Sequence, residues 1–575
     1  MDNNKNNNKN NKIKVQNKFK PKDNFESNRS KVNRENFKGK KGKRELQIAE
    51  SKRNIILQKR KAKELLENKP TEIPSQLITK FISMEGKELN SESSTNEITL
   101  PSEITIFDLN KLINNLLKNP TKEIYNFYIN DIEIKTNLKE TLQQIKNFSG
   151  EKTYNIVYCP ESLFKVKPLT RGSTILEGHT DSILTVQFSP NSNLLVSGGG
   201  DSNVKFWDMN TDTEININNE NNIHNNWILS LTFSPDNSIL VSADVDGCFL
   251  IWNAYEPFEL KNKKCVKAHK KWITNVCFKP LHLYNNNNNE NENNYLKFIT
   301  SGKDGYLKIW NANTGKIDIS TLAHNQSITK VIWSGENKIY SCSEDMFVKV
   351  FDENLNNLNI LSGHSHWINT MAINTEFILR TGCYDFENLN NINNNNNVYN
   401  FVEKIEKMTF IEKVNYSKKR YINFKKKINS SEKIVTGSDD FTLILWDINI
   451  SNKPIIRMTG HQGIVNDVKF SPNAFYLASA SFDKSIKIWN ANNGNFLFNL
   501  RGHVLSVYQI SWSPNSKMLL SGSKDSTLFV WNIDTKKRMF DLAGHADEVY
   551  TVDWAPNGNK AASGSKDRRV RIWVN

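Results

Sequence analysis

A chain of 575 residues, 38% of them hydrophobic, is long enough for several domains and a large buried core. Its formal charge of +15 is uneven: residues 1–70 hold 22 Lys/Arg against 8 Asp/Glu, and the rest holds 54 against 53. Six scattered cysteines (Cys159, Cys248, Cys265, Cys277, Cys342, Cys383) without a CxxC pair argue against a zinc site and a disulfide framework, and no apolar run approaches the ~18–20 residues that cross a bilayer.

The opening MDNNKNNNKN has no apolar core of the kind a secretory signal requires, so a soluble, intracellular protein of a reducing compartment is expected. Residues 1–72 form a basic Asn/Lys-rich tail. Its first 43 residues lack the apolar surface needed to offset chain entropy and are expected to be disordered. From Arg44 to Asn68 helix formers take over, and Leu46, Ile48, Ile55, Ile56 and Leu65 give a loose apolar stripe, as in a basic helix. A nearly neutral body with one basic tail points the tail at an acidic partner, such as RNA or a nuclear-import receptor.

Residues 73–163 read as a small α+β domain. Two strand-like runs (SQLITKFISM, NEITLP) precede a helix with apolar spacing at Ile106, Leu109, Leu112, Ile113, Leu116 and Leu117. A strand pair around YNFYINDIEI, a short helix (NLKETLQQI) and a last strand (TYNIVYCP) follow. That order fits a ubiquitin-like grasp.

Residues 164–575 are periodic. Eight segments each carry a His, a Ser or Thr, an Asp four residues later and an aromatic six after that. The complete sets include His179, Ser197, Asp201, Trp207; His461, Ser479, Asp483, Trp489; His503, Ser521, Asp525, Trp531; and His545, Ser563, Asp567, Trp573. In the second repeat the same spacing selects Asp246, and in the fourth the aromatic is Phe351. Five His-to-Trp separations are 28 residues. The third is lengthened by an Asn-rich stretch at about 284–295, and the fifth by an insertion at about 386–432 that holds Asn runs and the basic string YSKKRYINFKKK. Surface loops of this kind cost only about 0.6 kcal/mol per doubling of length.

This spacing is the signature of the WD40 family, and it implies a mainly β protein built on a β-propeller. Eight repeats imply eight blades, or seven if the interrupted fifth is not a full blade. A His, Ser and Asp set also invites a catalytic reading, but eight copies of a nucleophile make no sense for an enzyme. A hydrogen-bond relay in each blade, pinning a tight turn to the indole N–H, explains the copy number. No enzyme is expected. The runs VKFW, LKIW, LILW, IKIW, LFVW and VRIW read as inner strands. The last blade lacks an outer strand, which residues Val166–Leu176 are expected to supply, closing the ring.

The strings HKKWITNVCFKPLHLY, HSHWINTMAINTEFILRTGCYDFEN and RMTGHQGIVNDVKFSPNAFYLASASFDKSIKIW resemble the Notchless family, WD-repeat assembly factors of the large (60S) ribosomal subunit. The interruption after Asp385 and the domain around YNFYINDIEI fit the same family, so the resemblance covers about residues 73–575. It implies a nuclear and nucleolar protein whose propeller binds the pre-60S particle, its ribosomal RNA and proteins. It also implies that the ubiquitin-like domain docks on the metal-dependent adhesion site of the AAA ATPase midasin. There the carboxylate of Glu151, in the loop NFSGEKTYNIVY, completes the oxygen shell of a divalent cation such as Mg²⁺ held by the partner; otherwise Glu151 is one more solvated acid. No cofactor of its own is implied.

The tail clusters Lys38, Lys40, Lys41, Lys43, Arg44 and Lys52, Arg53, Lys59, Arg60, Lys61, Lys63 resemble nuclear-import signals and equally suit RNA phosphates. A generic WD40 scaffold, such as a ubiquitin-ligase substrate receptor or a Notch-type signalling adaptor, is the other functional class left open.

Overall fold

The computed structural model describes residues 74–83, 97–117, 125–129, 132–134, 137–143, 153–160, 166–215, 224–255, 258–261, 265–284, 296–386, 395–428 and 431–574. The basic tail with its expected helix, Glu151, and the Asn-rich segments 285–295 and 387–394 lie outside the described residues.

The first strands, β1 (Gln76–Ser83) and β2 (Ile98–Pro101), pair antiparallel. Helix α1 (Ile106–Leu116) starts at Thr105, whose hydroxyl accepts from the Asp108 N–H, as expected of an N-cap. Its apolar stripe places Leu109 and Ile113 in the core beside Phe81 and Phe127, all nearly or wholly buried. After β3 (Tyr125–Ile129), β4 (Ile132–Glu133) and α2 (Leu138–Gln143), the last strand β5 (Tyr154–Pro160) enters the middle of the sheet. It runs parallel to β1 and antiparallel to β3. The sheet order β2-β1-β5-β3-β4 is that of a ubiquitin-like grasp. Tyr128 of β3 stacks on Phe475 of the propeller, 4.6 Å between ring centroids.

From residue 171 onward the chain forms eight four-stranded antiparallel sheets. The first strand of each touches the first strands of its two neighbours, and the last of these touches the first, so the circle closes. Each first strand carries a bulge at its second residue, for instance between Ile183 and Thr185 and between Val549 and Thr551, which adds local twist where the strands crowd the axis. The interrupted fifth repeat builds a full sheet: Ile368–Ile373, Ile434–Ser438, Leu443–Trp446 and Ile456–Met458.

Strand β6 (Arg171–Glu177) pairs with Arg569–Val574 and supplies the outer strand of the last blade. The strands that end in tryptophan are inner strands, third from the axis and flanked on both sides within each sheet. They read as such because both faces are buried: Trp207, Trp446, Trp489, Trp531 and Trp573 are almost wholly inaccessible between blades.

The insertion in the fifth repeat is largely helical rather than a loop. Helix α3 (Glu376–Thr381) follows the first strand of that blade, and α4 (Asn395–Glu406) and α5 (Phe410–Ile428) complete the excursion. Tyr384, Phe386, Val402, Ile405 and Val414 join one hydrophobic cluster with Phe278, Leu281 and Phe298 of the third blade. Because the insertion connects a first strand to a second strand, it lies at the end of the propeller opposite the histidine turns.

Candidate functional site

The tetrads are built at one end of the ring, where each outer strand turns back to the next blade and where second and third strands meet. In the first repeat the Trp207 indole N–H donates to Ser197 Oγ at 2.8 Å. The Ser197 hydroxyl lies 2.8 Å from His179 Nε2, and His179 Nδ1 lies 3.0 Å from Asp201. The Asp201 carboxylate also accepts from the backbone of Thr180 and Asn203. The same relay recurs at His461, Ser479, Asp483, Trp489, at His503, Ser521, Asp525, Trp531 and at His545, Ser563, Asp567, Trp573.

Burial alone would raise these carboxyl pKa values. The histidine's hydrogen bond and charge, together with backbone N–H donors, outweigh it. Asp201, Asp483 and Asp525 are therefore held below the ordinary value, and Asp567 is lowered to about 2. Each of these serines is fully buried and already accepts an indole N–H, so no substrate carbonyl can reach it. The set holds turns together.

The second repeat departs from its spacing. His224 Nδ1 meets Asp244 at 2.8 Å, and Asp244 also accepts from the Cys248 N–H. Asp246 instead accepts from the Asn226 side chain at 3.0 Å. The reason is local: the position of Asp244 is held by Gly or Ser in the other repeats, such as Gly199 and Ser523, which leaves room for the turn aspartate. A carboxylate standing on the strand itself reaches the imidazole first. Cys265 lies near this pair and completes a His/Asp/Cys group, but the two harder donors are bonded to each other. In the fourth repeat Phe351 offers no indole N–H, and His324, Ser341 and Asp345 form the relay without it.

The tetrad end exposes aromatic rings that the spacing argument passed over. Trp227, Trp272 and Trp367 each lie three residues after a tetrad histidine and are 51, 42 and 47% exposed. The Lys303 ammonium sits 4.4 Å from the Trp272 ring centroid. The shared offset, seen in HNNW, HKKW and HSHW, was the signal available in the sequence.

The axis encloses a cavity of about 540 Å³ lined by the first strands. Helix α3 lies at its end: Arg380 makes a two-pronged ion pair with Asp553, and Glu376 pairs with Lys469 at 2.6 Å. Helix α5 is fixed from below. The Arg420 guanidinium donates to Thr381 Oγ1 and the Gly382 carbonyl, and the Tyr421 hydroxyl donates to Glu432 at 2.9 Å. Its buried positions Val414, Ser417, Tyr421, Phe424 and Ile428 follow a helical period that the Asn runs and lysines around them disguised. Glu151 and the tail lysines and arginines lie outside the described residues, so the structure brings none of them to a site.

Seven segments match the family model described as "WD domain, G-beta repeat": residues 171–208, 220–253, 260–311, 317–352, 452–490, 494–532 and 536–574. Residues 77–142 match the "NLE (NUC135) domain". The chain is 37% identical over 377 residues to Protein Notchless of Drosophila melanogaster, covering 65% of this chain and 72% of that one. It is 34% identical over 372 residues to Ribosome assembly protein 4 of Saccharomyces cerevisiae, covering 64% and 67%. It is 40% identical over 398 residues to the Notchless protein homolog of Arabidopsis thaliana, covering 69% and 77%. Among solved structures, the computationally designed Ika8 protein aligns with a TM-score of 0.50 at 22% identity, over 70% of this chain and all of that one, a likeness of fold alone. With matches of this identity and length, an NLE domain and a WD-repeat propeller behind it, the chain belongs to the Notchless family of WD-repeat proteins.

Proposed function

We propose that this protein is a non-catalytic assembly factor of the large ribosomal subunit, acting in the nucleolus and nucleus. The observation that carries the reading is the 34% identity over 372 residues to a protein named for ribosome assembly, with the NLE domain present at residues 77–142. In this reading the propeller grips the pre-60S particle and the ubiquitin-like domain docks on midasin, whose ATP hydrolysis remodels the particle and removes this protein. Glu151, three residues before β5, supplies a carboxylate oxygen to the Mg²⁺ of midasin's adhesion site. A hard divalent cation takes such an oxygen readily.

The propeller supports a gripping role in physical terms. Its His, Ser and Asp sets are consumed in holding turns, while exposed indoles and cations are left for partners. Gradient sedimentation of cell extract, probed for this protein and for precursor ribosomal RNA, tests the reading. Co-migration with large-subunit precursors is expected. Exclusive migration as free protein would overturn it and favour a generic scaffold or signalling adaptor.

A further inference from the structure

We propose that the outer face of α5 is a binding surface for the phosphodiester backbone of RNA. The basic string YSKKRYINFKKK, which reads as part of a loop in the sequence, is in the fold a helix held rigidly by one face. Val414, Ser417, Arg420, Tyr421, Phe424 and Ile428 are buried against the propeller. Lys418, Lys419, Lys425 and Lys426 are exposed on the other side.

Lys418 and Lys425 are seven residues apart, as are Lys419 and Lys426. Two helical turns therefore stack them into a double row about 10.5 Å long. Lys425 is paired with Glu336. Among the described residues Lys418, Lys419 and Lys426 have no acidic partner. Across Phe410–Ile428 there are seven basic residues and one acidic, whereas the rest of the chain from residue 71 onward holds 47 basic and 52 acidic. The net positive charge of residues 71–575 is thus carried by one helix.

A nucleic-acid duplex carries about one phosphate per 1.7 Å of axis, so a row of this length faces several at once. Lysine ammonium groups meet phosphates as point charges, without the planar fork of arginine or stacked rings that read bases. The surface is therefore suited to backbone contact without sequence preference. That the polyanion is RNA rests on the assembly-factor reading.

The test uses the full chain, tail included, and a full chain carrying Lys418→Gln, Lys419→Gln and Lys426→Gln. The three sites are exposed, so equal thermal midpoints are expected. Binding of a 20-base-pair RNA duplex is measured across a series of KCl concentrations. Each lost phosphate contact removes about 0.9 from the slope of log K against log salt. The variant is expected to lose about 2 to 3 from that slope and about a hundredfold or more in affinity near 0.1 M salt. Replacing the same lysines by arginine should restore the slope.

An unchanged slope overturns the proposal. So does loss of binding to a poly-glutamate chain with duplex binding intact, because the face would then serve an acidic protein segment beside the exposed Ile422. Failure here leaves the sedimentation of the wild-type protein untouched, so the two readings fail separately.

Discussion

The imidazole of His282 and the phenol ring of Tyr421 are stacked, with centroids 4.0 Å apart and planes 14° from parallel. The first belongs to the short 3₁₀ turn that follows the first strand of the third blade, the second to α5 of the inserted segment in the fifth. The pair ties an excursion of the chain to a blade two repeats away. Gly335 in the fourth blade leaves room for the contact, because a Cβ there would clash with the edge of the Tyr421 ring and its hydroxyl.

Tyr421→Ala is expected to destabilise this packing by about 3–5 kcal/mol, the usual cost of deleting a buried aromatic ring. It also removes a hydrogen bond from Glu432, a buried acid whose pKa is raised by burial and by the nearby Glu336. Limited proteolysis should show new cleavage between α4 and the second strand of the fifth blade before the rest of the propeller is cut. Resistance equal to wild type would mean that α5 is held by other contacts.

His282 gives this junction a pH dependence. Burial, with a smaller contribution from Lys418, lowers its pKa to about 4, although its bond to the Gly335 carbonyl acts in the opposite direction. The folded state therefore binds fewer protons than the unfolded chain between about pH 6.5 and 4. The stability contributed by neutral His282 is complete above pH 6.5 and is lost as pH falls through that window. Urea midpoints of the wild type should drop across it more steeply than those of His282→Phe. Parallel curves would show that His282 titrates in the folded protein as it does in water.

The second repeat offers a paired test of the tetrads. Asp244→Asn replaces one of two accepting oxygens by an NH2 donor, so either the buried His224 or the Cys248 N–H loses its acceptor, at an expected cost of about 1–3 kcal/mol. Asp246→Asn alters a partly exposed contact with Asn226 and should cost under about 1 kcal/mol. Asp525→Ala, in a regular tetrad, should behave like the Asp244 variant and lower the melting temperature without abolishing one particular partner. Equal effects at Asp244 and Asp246, measured by urea unfolding, would contradict the assignment.

These sites mark where the sequence was legible and where it was not. Fixed spacing exposed the tetrads because a turn, a strand and an indole must meet at set distances in every blade. The same rule selected Asp246 over Asp244, since spacing records how far along the chain an acid stands and not which of two acids faces the imidazole. The tryptophan strands read as inner strands because neighbouring blades cover both of their faces. Helix α5 was hidden by composition: its lysines and the flanking asparagines drew the eye from Val414, Tyr421, Phe424 and Ile428, which recur at helical spacing. The order of elements in the ubiquitin-like domain was legible from short apolar runs, each bounded by polar residues, but the runs do not say which strands are neighbours in the sheet.

The sharpest prediction concerns Glu151. Three residues before β5 in the sequence, it is proposed to bring its carboxylate into the coordination shell of midasin's divalent cation. Glu151→Ala should then leave folding and pre-ribosome binding intact while abolishing docking to the adhesion-site domain, because a hard cation deprived of an anionic oxygen has no good substitute on this surface. Glu151→Asp should recover only part of the binding, since the shorter side chain misplaces the oxygen by about 1.5 Å, one carbon–carbon bond. In cells the alanine variant should act dominantly, occupying precursor particles that midasin cannot then clear and stalling their maturation. The measurement is binding of the full-length protein to the isolated adhesion-site domain, with and without a chelator. Wild-type binding that survives the chelator would remove the metal from the contact. Full binding by Glu151→Ala would remove this residue from it, leaving Glu151 as an ordinary solvated acid.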